Sequence, residues 1–241
     1  MPPQILRVDR GDFLNRYWQY SPGEHVTGLG PTGWGKTELM CGLLGRSASR
    51  QLPAVVFCMK PVDETIDRWK PKLHYRQVAT WSKTGPPLSI MNRHPDGYLL
   101  WPKTNFDDIW ADRWHQREQF MNATMYNYKH GKCITVFDEV ESLVNELEMK
   151  EEVKTILRKG RGGRNGAWSW SQRPADIPLH CYSMANHLFL AKDPDVRTQR
   201  RYDEIGGFDP GLVRYVVATQ LAKYEWLYCR REDSTMCIVG K

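Results

Sequence analysis

Residues 30–37 match the phosphate-binding loop pattern of glycine, four variable residues, glycine, lysine, and serine or threonine. In such a loop the glycines allow backbone N–H groups to turn inward around a polyphosphate. The lysine, here Lys36, reaches the β and γ phosphates, and the hydroxyl group of Thr37 binds Mg²⁺. The pattern therefore predicts that ATP and Mg²⁺ bind here. The predicted nucleotide-binding residues are Gly30, Pro31, Thr32, Gly33, Trp34, Gly35, Lys36, Thr37 and Glu38.

The segments on either side of the loop fit this interpretation. Residues 25–29 form a short extended stretch after the turn signal Ser21, Pro22 and Gly23, and a helix-compatible run follows at 38–44. The alternative is a glycine-rich surface turn that carries an exposed lysine. A strand, a loop and a helix in this order favour the nucleotide site.

A pair of acidic residues, Asp138 and Glu139, follows an apolar run at 133–137. In open α/β sheets, ligands bind at the carboxyl ends of the strands. Asp138 is therefore predicted to bind Mg²⁺, directly or through water, and Glu139 to polarise the attacking water. Alternatively, the two acids are only the first turn of a helix, because an amphipathic pattern begins behind them. That pattern consists of Val140, Leu143, Val144 and Leu147.

Strand-like and helix-like segments alternate between these two elements. Strands are predicted at 54–59, 77–81 and 98–101, and Asp63 is predicted to cap a helix over 64–69. This alternation predicts an α/β fold in which helices flank a mostly parallel central sheet. A long helix before the acidic strand carries an apolar stripe, which we expect to pack in the core. The stripe contains Phe106, Ile109, Trp110, Trp114, Met121 and Met125.

A basic, glycine-rich run at 158–166 precedes an extended segment at 167–171, which closes on Gln172, Arg173 and Pro174. A strand that follows the acidic strand and ends in a polar amide occupies the sensor position of ring-forming ATPases. Gln172 is therefore predicted to hydrogen-bond the γ phosphate or the attacking water.

The order of these motifs resembles that of the FtsK–HerA superfamily of DNA-pumping ATPases, over roughly residues 20–230. The resemblance implies a P-loop ATPase fold of the RecA/FtsK–HerA type and a homo-oligomeric ring, with a hexamer favoured. It also implies that Arg161 reaches the nucleotide of a neighbouring subunit, with Arg158 as the second candidate. The competing interpretation is that this basic loop faces solvent or DNA. The sequence departs from the family pattern at Gly166 and in the two tryptophans of the sensor strand.

In size and layout the chain is similar to the viral genome-packaging ATPases of this superfamily. The resemblance implies an ATP-hydrolysing translocase that pumps double-stranded DNA through phosphate contacts, without sequence preference, and that meets capsid or portal-vertex proteins. Two alternatives share the motifs. One is a HerA-like or conjugation-linked DNA-processing ATPase, and the other is a phage assembly ATPase that does not move DNA.

The composition is typical of a folded intracellular protein. The 241 residues are 41% hydrophobic and carry a formal net charge of +6, which suits a polyanionic partner. No apolar run approaches the roughly 20 residues of a membrane span, and charged residues interrupt the start where a signal peptide would be apolar. We expect a cytoplasmic protein, in a viral setting present in the host cytoplasm or associated with the virion.

The six cysteines lack paired spacing, so zinc binding and disulfides are not expected.

We expect one P-loop ATPase domain over 1–241, with a cap segment at 1–24, a motor core at 25–192 and C-terminal helices with a β-hairpin at 193–241. The hairpin strands are predicted at 224–229 and 235–239.

Three smaller predictions concern the two ends of the chain. In the cap, the aromatic residues Tyr17, Trp18 and Tyr20 either stack on adenine or pack against the core. In the tail, a basic helix at 193–204 presents either a solvated face or a DNA contact. Asp209 is predicted to cap the next helix.

Overall fold

The computed structural model describes residues 5–87, 95–173, 177–193 and 195–240. Pro174, the last residue of the predicted sensor motif, lies outside these ranges. Within them the strands are β1 (Arg7–Val8), β2 (Val26–Leu29), β3 (Ala54–Phe57), β4 (Tyr75–Val78), β5 (Gly97–Leu100), β6 (Cys133–Phe137), β7 (Asn165–Ser171), β8 (His187–Ala191), β9 (Trp226–Arg230) and β10 (Thr235–Val239). These strands form a single sheet in the order β1-β10-β9-β8-β2-β7-β6-β3-β5-β4.

Parallel pairing runs without interruption from β8 through β2, β7, β6, β3 and β5 to β4. The hairpin of β9 and β10 joins the sheet antiparallel to β8, and β1 pairs parallel to β10. The predicted α/β fold with a mostly parallel sheet and a C-terminal hairpin is therefore confirmed. The carboxyl ends of the parallel strands meet at one edge, where ligands bind in sheets of this kind.

Helices cover both faces of the sheet. In the described ranges they are α1 (Arg10–Asp12), α2 (Lys36–Ser47), α3 (Glu64–Leu73), α4 (Ile109–His130), α5 (Val140–Asn145), α6 (Lys150–Lys159), α7 (Leu179–Ser183), α8 (Val196–Arg201) and α9 (Pro210–Tyr215). A 3₁₀ turn at Gly160–Gly163 continues α6. Successive side chains of a strand point to opposite faces, so Val55 and Phe57 share a core with α4 to α6, whereas Ala54 and Val56 share one with α2 and α3.

Two predicted helix starts are confirmed. Asp63 accepts hydrogen bonds from the N–H groups of Thr65 and Ile66. Asp209 likewise caps α9, with Pro210 in the first turn.

Strand β4 begins two residues earlier than the predicted strand and ends at Val78, whereas the prediction ran to Trp81. The N–H group of Trp81 donates to the side-chain oxygen of Gln119 at 2.8 Å. Because a side chain from α4 accepts this hydrogen bond, the segment after Val78 leaves the sheet.

Most of the predicted apolar stripe lies on the surface. Its predicted packing in the core is wrong for Phe106, Ile109, Trp110, Trp114 and Met125, whereas Met121 is partly buried against the core. Phe106 and Trp110 are each 71% exposed, and Trp114 is 69% exposed. The buried residues of the helix are instead Gln119, Phe120, Ala123, Thr124 and Asn127. Polar side chains occupy this buried face because they find partners there; the Asn127 amide, for example, donates to the Thr135 hydroxyl at 3.0 Å.

Two tryptophans of β7 fill the core on the α2 side. Trp168 and Trp170 are fully buried, and Gly28 of β2 pairs in register with Trp170. A Cβ atom on Gly28 would lie 2.1 Å from the Trp170 ring, so this position requires glycine. Trp18 and Tyr20 pack edge-on against Trp168, with ring centroids 6.0 and 5.3 Å away. The packed-cap alternative is therefore confirmed for Trp18 and Tyr20.

All six cysteines are buried as free thiols. Among the helices in the described ranges, none combines the length and the apolar character that crossing a membrane requires.

Candidate nucleotide-binding site

The phosphate loop connects the carboxyl end of β2 to the first turn of α2. The N–H group of Gly30 donates to the carbonyl oxygen of Ser171 on the neighbouring β7 at 3.2 Å. Gly33 and Gly35 have φ angles of 78° and 79°, a left-handed conformation that favours glycine. Helix α2 begins directly after Gly35, so its first N–H groups and its positive dipole end face the loop. This geometry provides a cradle for an anion.

The ammonium group of Lys36 lies across the loop. Its Nζ atom donates to the carbonyl oxygens of Gly30 at 2.8 Å and Pro31 at 3.2 Å. Burial lowers the pKa of Lys36, although the carboxylates of Glu139 and Asp138 oppose this effect. A phosphate oxygen would be a stronger, charged acceptor for the ammonium group than either carbonyl.

Asp138 is a buried carboxyl group directly after β6. Burial raises its pKa to about 7, although the positive charge of Lys60 opposes the shift. Asp138 and the hydroxyl-bearing Thr37 line the same cleft. Hard oxygen donors of these two kinds suit Mg²⁺, and a divalent cation would offset the cost of a buried negative charge. The residues present therefore fit the predicted metal.

Glu139 and Gln172 form a hydrogen-bonded pair across β6 and β7. The backbone N–H of Gln172 donates to Oε1 of Glu139 at 3.2 Å, and its side-chain Nε2 donates to Oε2 at 2.9 Å. The hydroxyl group of Thr32 in the phosphate loop donates to Oε1 of Gln172. The loop, the amide and the acid are thus linked in one chain of hydrogen bonds.

These elements surround a cleft of about 630 Å³. Nine residues that the sequence analysis assigned to the site line this cleft: Thr32, Gly33, Gly35, Lys36, Thr37, Glu38, Asp138, Glu139 and Gln172. Gly30 and Pro31 instead supply carbonyl groups to Lys36, and Trp34 packs against the buried core on the α2 side. The motif thus separates into residues that face the cleft and residues that hold the loop in place.

Six lining residues were not predicted to belong to the site: Arg10, Lys60, Asp63, Thr65, Arg68 and Tyr224. Lys60 pairs with Asp63 at 3.3 Å. Burial lowers the pKa of Lys60, but the carboxylates of Asp138 and Asp63 outweigh this effect, so the net shift is upward. The position of Lys60 in the loop after strand β3 was the available signal, because loops after parallel strands converge at this edge.

Arg10 and Tyr224 reach the cleft from the two ends of the chain. Arg10 donates to the carbonyl oxygens of Tyr224 at 2.7 Å and Gly240 at 3.2 Å. The Tyr224 ring approaches the loop so closely that a Cβ atom on Gly35 would lie 3.5 Å from it. No motif marks these residues, since strand pairing between the ends of the chain brings them together. Tyr224, rather than an aromatic residue of the cap, lines the cleft.

The structure does not bring Arg161 or Arg158 to this cleft. Both side chains are exposed near the amino end of β7, whereas Gln172 follows its carboxyl end. The seven residues of β7 separate the two positions by about 23 Å of extended backbone. Any contact between Arg161 and a nucleotide is therefore restricted to the site of another copy.

Among solved structures, the chain is similar to the genome packaging NTPase B204 from Sulfolobus turreted icosahedral virus 2, in complex with sulfate. The sequences are 14% identical, and the match covers 91% of this chain and 97% of B204 with a TM-score of 0.62. This chain has the fold of B204. B204 has also been solved in complex with AMPPCP and with ATPγS.

The cytoplasmic domain of the type VII secretion ATPase EccC from Thermomonospora curvata also resembles the chain. The match covers 94% of this chain and 26% of EccC, with 14% identity and a TM-score of 0.53. The two matches show the fold of the chain. No protein-family model and no curated protein sequence matches the chain.

Proposed function

We propose that the chain is an ATP-hydrolysing, ring-forming motor that moves double-stranded DNA during viral genome packaging. The observation that best supports the proposal is the convergence of the phosphate loop, Asp138 and the Glu139–Gln172 pair on one cleft. Arg161 lies at the opposite end of the sheet, so a complete site would take its arginine from a neighbouring copy. The fold shared with B204 supports the packaging role.

In the proposed reaction, Lys36 and the loop N–H groups hold the β and γ phosphates of ATP. Thr37 and Asp138 would hold Mg²⁺, which when bound neutralises charge on the phosphate oxygens. Glu139, oriented by Gln172, accepts the proton of a water molecule whose oxygen attacks the γ phosphorus. The bond from this phosphorus to the bridging oxygen breaks, and ADP and inorganic phosphate leave.

Arg161 of a neighbouring copy would stabilise the charge on the transferring phosphoryl group. A guanidinium in this role contributes about 10³ to 10⁵ in rate in known systems. Arg158 at the end of α6 is the second candidate for the same role.

The proposed DNA contact rests on charge. The chain carries a formal net charge of +6, which suits contacts with a polyanion. Contacts of this kind bind phosphate and do not read bases, so translocation would be independent of sequence. In the viral setting the ring, for which a hexamer is favoured, would work in the host cytoplasm at a capsid or portal vertex.

The test measures ATP hydrolysis with and without long duplex DNA for the wild type, Lys36→Ala, Glu139→Gln and Arg161→Ala. Duplex DNA should stimulate the wild type, and each variant should lose hydrolysis. The translocase proposal loses its support if DNA has no effect and Arg161→Ala hydrolyses ATP at the wild-type rate in assembled rings.

Mixed rings test whether the arginine acts between copies. Arg161→Ala and Glu139→Gln subunits are each expected to be inactive alone, but a mixture contains interfaces at which an intact Glu139 meets an intact Arg161. Partial recovery of hydrolysis is the expected result. Arg158→Ala in the same mixing experiment decides between the two arginines.

The fold shared with EccC supports a second candidate, an ATPase that drives secretion or assembly without moving DNA. This candidate predicts that hydrolysis depends on Arg161 but not on duplex DNA. The DNA-stimulation experiment therefore separates the two functions.

A further inference from the structure

We propose that a second copy of this chain docks its basic turn onto the exposed aromatic face at the start of α4. The aromatic face consists of Phe106, Ile109, Trp110 and Trp114. The basic turn comprises residues 158–164. The inference rests on the proposed ring function. It names the surface on one copy against which the basic turn of the neighbouring copy, with its Arg161, would lie near the cleft.

The aromatic face is a group of exposed apolar side chains at, and just before, the start of a long helix. Its four side chains are each at least 66% exposed, although they are among the largest apolar residues of the chain. Single exposed apolar residues are ordinary, but four large ones within residues 106–114 point to an interaction site. Tryptophan in particular is enriched among the residues that carry most of the binding energy in protein interfaces.

Phe106 is held outward by specific hydrogen bonds. Its φ angle of 66° is left-handed, which is unfavourable for a bulky side chain. The two carboxylate oxygens of Asp112 accept hydrogen bonds from the N–H groups of Asn105 and Phe106, each at 2.9 Å. Asp112 therefore fixes the loop that presents Phe106 to solvent.

The aromatic face is connected to the rim of the nucleotide cleft. The Nε1 atom of Trp101 donates to the carbonyl oxygen of Lys60 at 2.7 Å, and Lys60 lines the cleft. Two residues beyond the aromatic face, Gln116 of α4 donates to the carbonyl oxygen of Met59 at 3.1 Å. A subunit that covers the start of α4 thus contacts the segment that borders the cleft.

The chemistry of the two surfaces is complementary. Exposed carboxylates at Asp107 and Asp108 flank the aromatic residues. Guanidinium groups stack on aromatic rings and pair with carboxylates, and Arg113 already lies over the Trp110 ring at 5.4 Å. The basic turn offers four exposed cations in seven residues: Arg158, Lys159, Arg161 and Arg164. This pairing favours a second copy over an apolar partner.

The position of the two surfaces determines the kind of assembly. The basic turn lies near the amino end of β7, whereas the aromatic face follows the carboxyl end of β5. A contact between two different surfaces of identical subunits is head-to-tail, and such contacts close into rings or extend into helical filaments.

Disulfide cross-linking tests the contact directly, since all six native cysteines are buried. The double variant Ile109→Cys, Gly162→Cys places one thiol on each surface, and a Cβ atom at Gly162 meets no other atom within 4 Å. Mild oxidation should convert this variant into a ladder of oligomers. An equal mixture of the two single variants should stop at dimers, because each copy carries one new thiol. A double variant that stays monomeric, or single variants that each cross-link with themselves equally well, would overturn the proposal.

A second measurement follows assembly by sedimentation, independently of hydrolysis. The double variant Trp110→Ser, Trp114→Ser should weaken self-association by about 10-fold or more, whereas Trp110→Phe should retain it. Circular dichroism checks that the variants, changed only at exposed positions, are folded.

The outcomes separate this proposal from the proposed function. Serine variants that assemble like the wild type overturn the docking surface, even if they hydrolyse ATP. Serine variants that assemble normally but lose binding to a fluorescent DNA duplex also overturn it, because the face then belongs to nucleic acid. A wild type that stays monomeric with an ATP analogue at every concentration overturns it as well. A wild type that assembles through this face but hydrolyses no ATP supports the docking surface, and only the proposed function fails.

Discussion

Gln172 binds both carboxylate oxygens of Glu139, one through its backbone N–H at 3.2 Å and the other through its side-chain amide at 2.9 Å. The two residues follow neighbouring parallel strands, β6 and β7, so the sheet itself sets their separation. The Thr32 hydroxyl ties the same amide to the phosphate loop. A displacement of the loop on binding nucleotide would therefore be transmitted to Glu139.

Replacing Glu139 with glutamine should lower kcat for ATP hydrolysis by about 10² to 10⁴ while nucleotide binding is kept, because an amide cannot accept the proton of water. Phosphate release and the affinity for an ATP analogue measure the two effects. Glu148→Gln changes an exposed acid outside the cleft and should behave like the wild type. Hydrolysis by Glu139→Gln at the wild-type rate would exclude Glu139 as the base.

Gln172→Glu should change the pH dependence of hydrolysis. A second carboxyl group against Glu139 disfavours ionisation of the pair, so part of the pair stays protonated to higher pH. The rate should then rise with pH over a range in which the wild type has already reached its plateau. Gln172→Met, which has a similar length and no charge, should lower kcat without moving the profile. Parallel profiles for Gln172→Glu and the wild type would contradict this account.

Gly28→Ala should destabilise the protein by about 1–3 kcal/mol, because the added methyl group collides with a fully packed tryptophan. Its Cβ atom would lie 2.1 Å from Trp170. Urea denaturation measures the free energy of unfolding. Gly162→Ala, at a position with open space around it, should change this free energy by less than about 0.5 kcal/mol.

A double variant tests whether the collision with Trp170 causes the loss of stability in Gly28→Ala. Combining Gly28→Ala with Trp170→Leu should cost less than the sum of the two single changes, because the smaller side chain removes the collision. Strict additivity of the two free energies would show that the collision is not the reason.

His25 should make stability depend on pH. Burial lowers its pKa to about 4, and its Nδ1 atom accepts a hydrogen bond from the N–H of Ala167 at 2.9 Å. In the unfolded chain the pKa of histidine is about 6.5. Below about pH 6.5 the unfolded chain takes up a proton that the folded protein resists until about pH 4, so stability falls with pH through this window.

The expected contribution of His25 is a loss of about 2 kcal/mol in the free energy of unfolding between about pH 7.5 and about pH 5. Urea denaturation of the wild type and His25→Asn at both pH values measures it. Asparagine does not titrate, so the stability advantage of the wild type should shrink by this amount at the lower pH. Equal changes in both proteins would rule out His25 as the cause.

The sequence by itself determined the parts of the site that are contiguous along the chain. The spacing of Gly30, Gly35, Lys36 and Thr37 defines the loop over eight positions. The sequence also predicted the position of the acids after β6, because ligands bind at the carboxyl ends of the strands in a parallel sheet. Helix caps such as Asp63 depend on the same local hydrogen bonds.

Only the tertiary structure decided which distant residues complete the site and which faces are exposed. Arg10 and Tyr224 meet at the cleft although 214 residues separate them, because β1 pairs with the C-terminal hairpin. Helical periodicity placed the aromatic residues of α4 on one face but did not show whether that face is buried. The buried face instead contains Gln119 and Asn127, whose amides form hydrogen bonds inside the protein. Long-range strand order and the partnering of polar groups arise from the whole chain, and no local pattern encodes them.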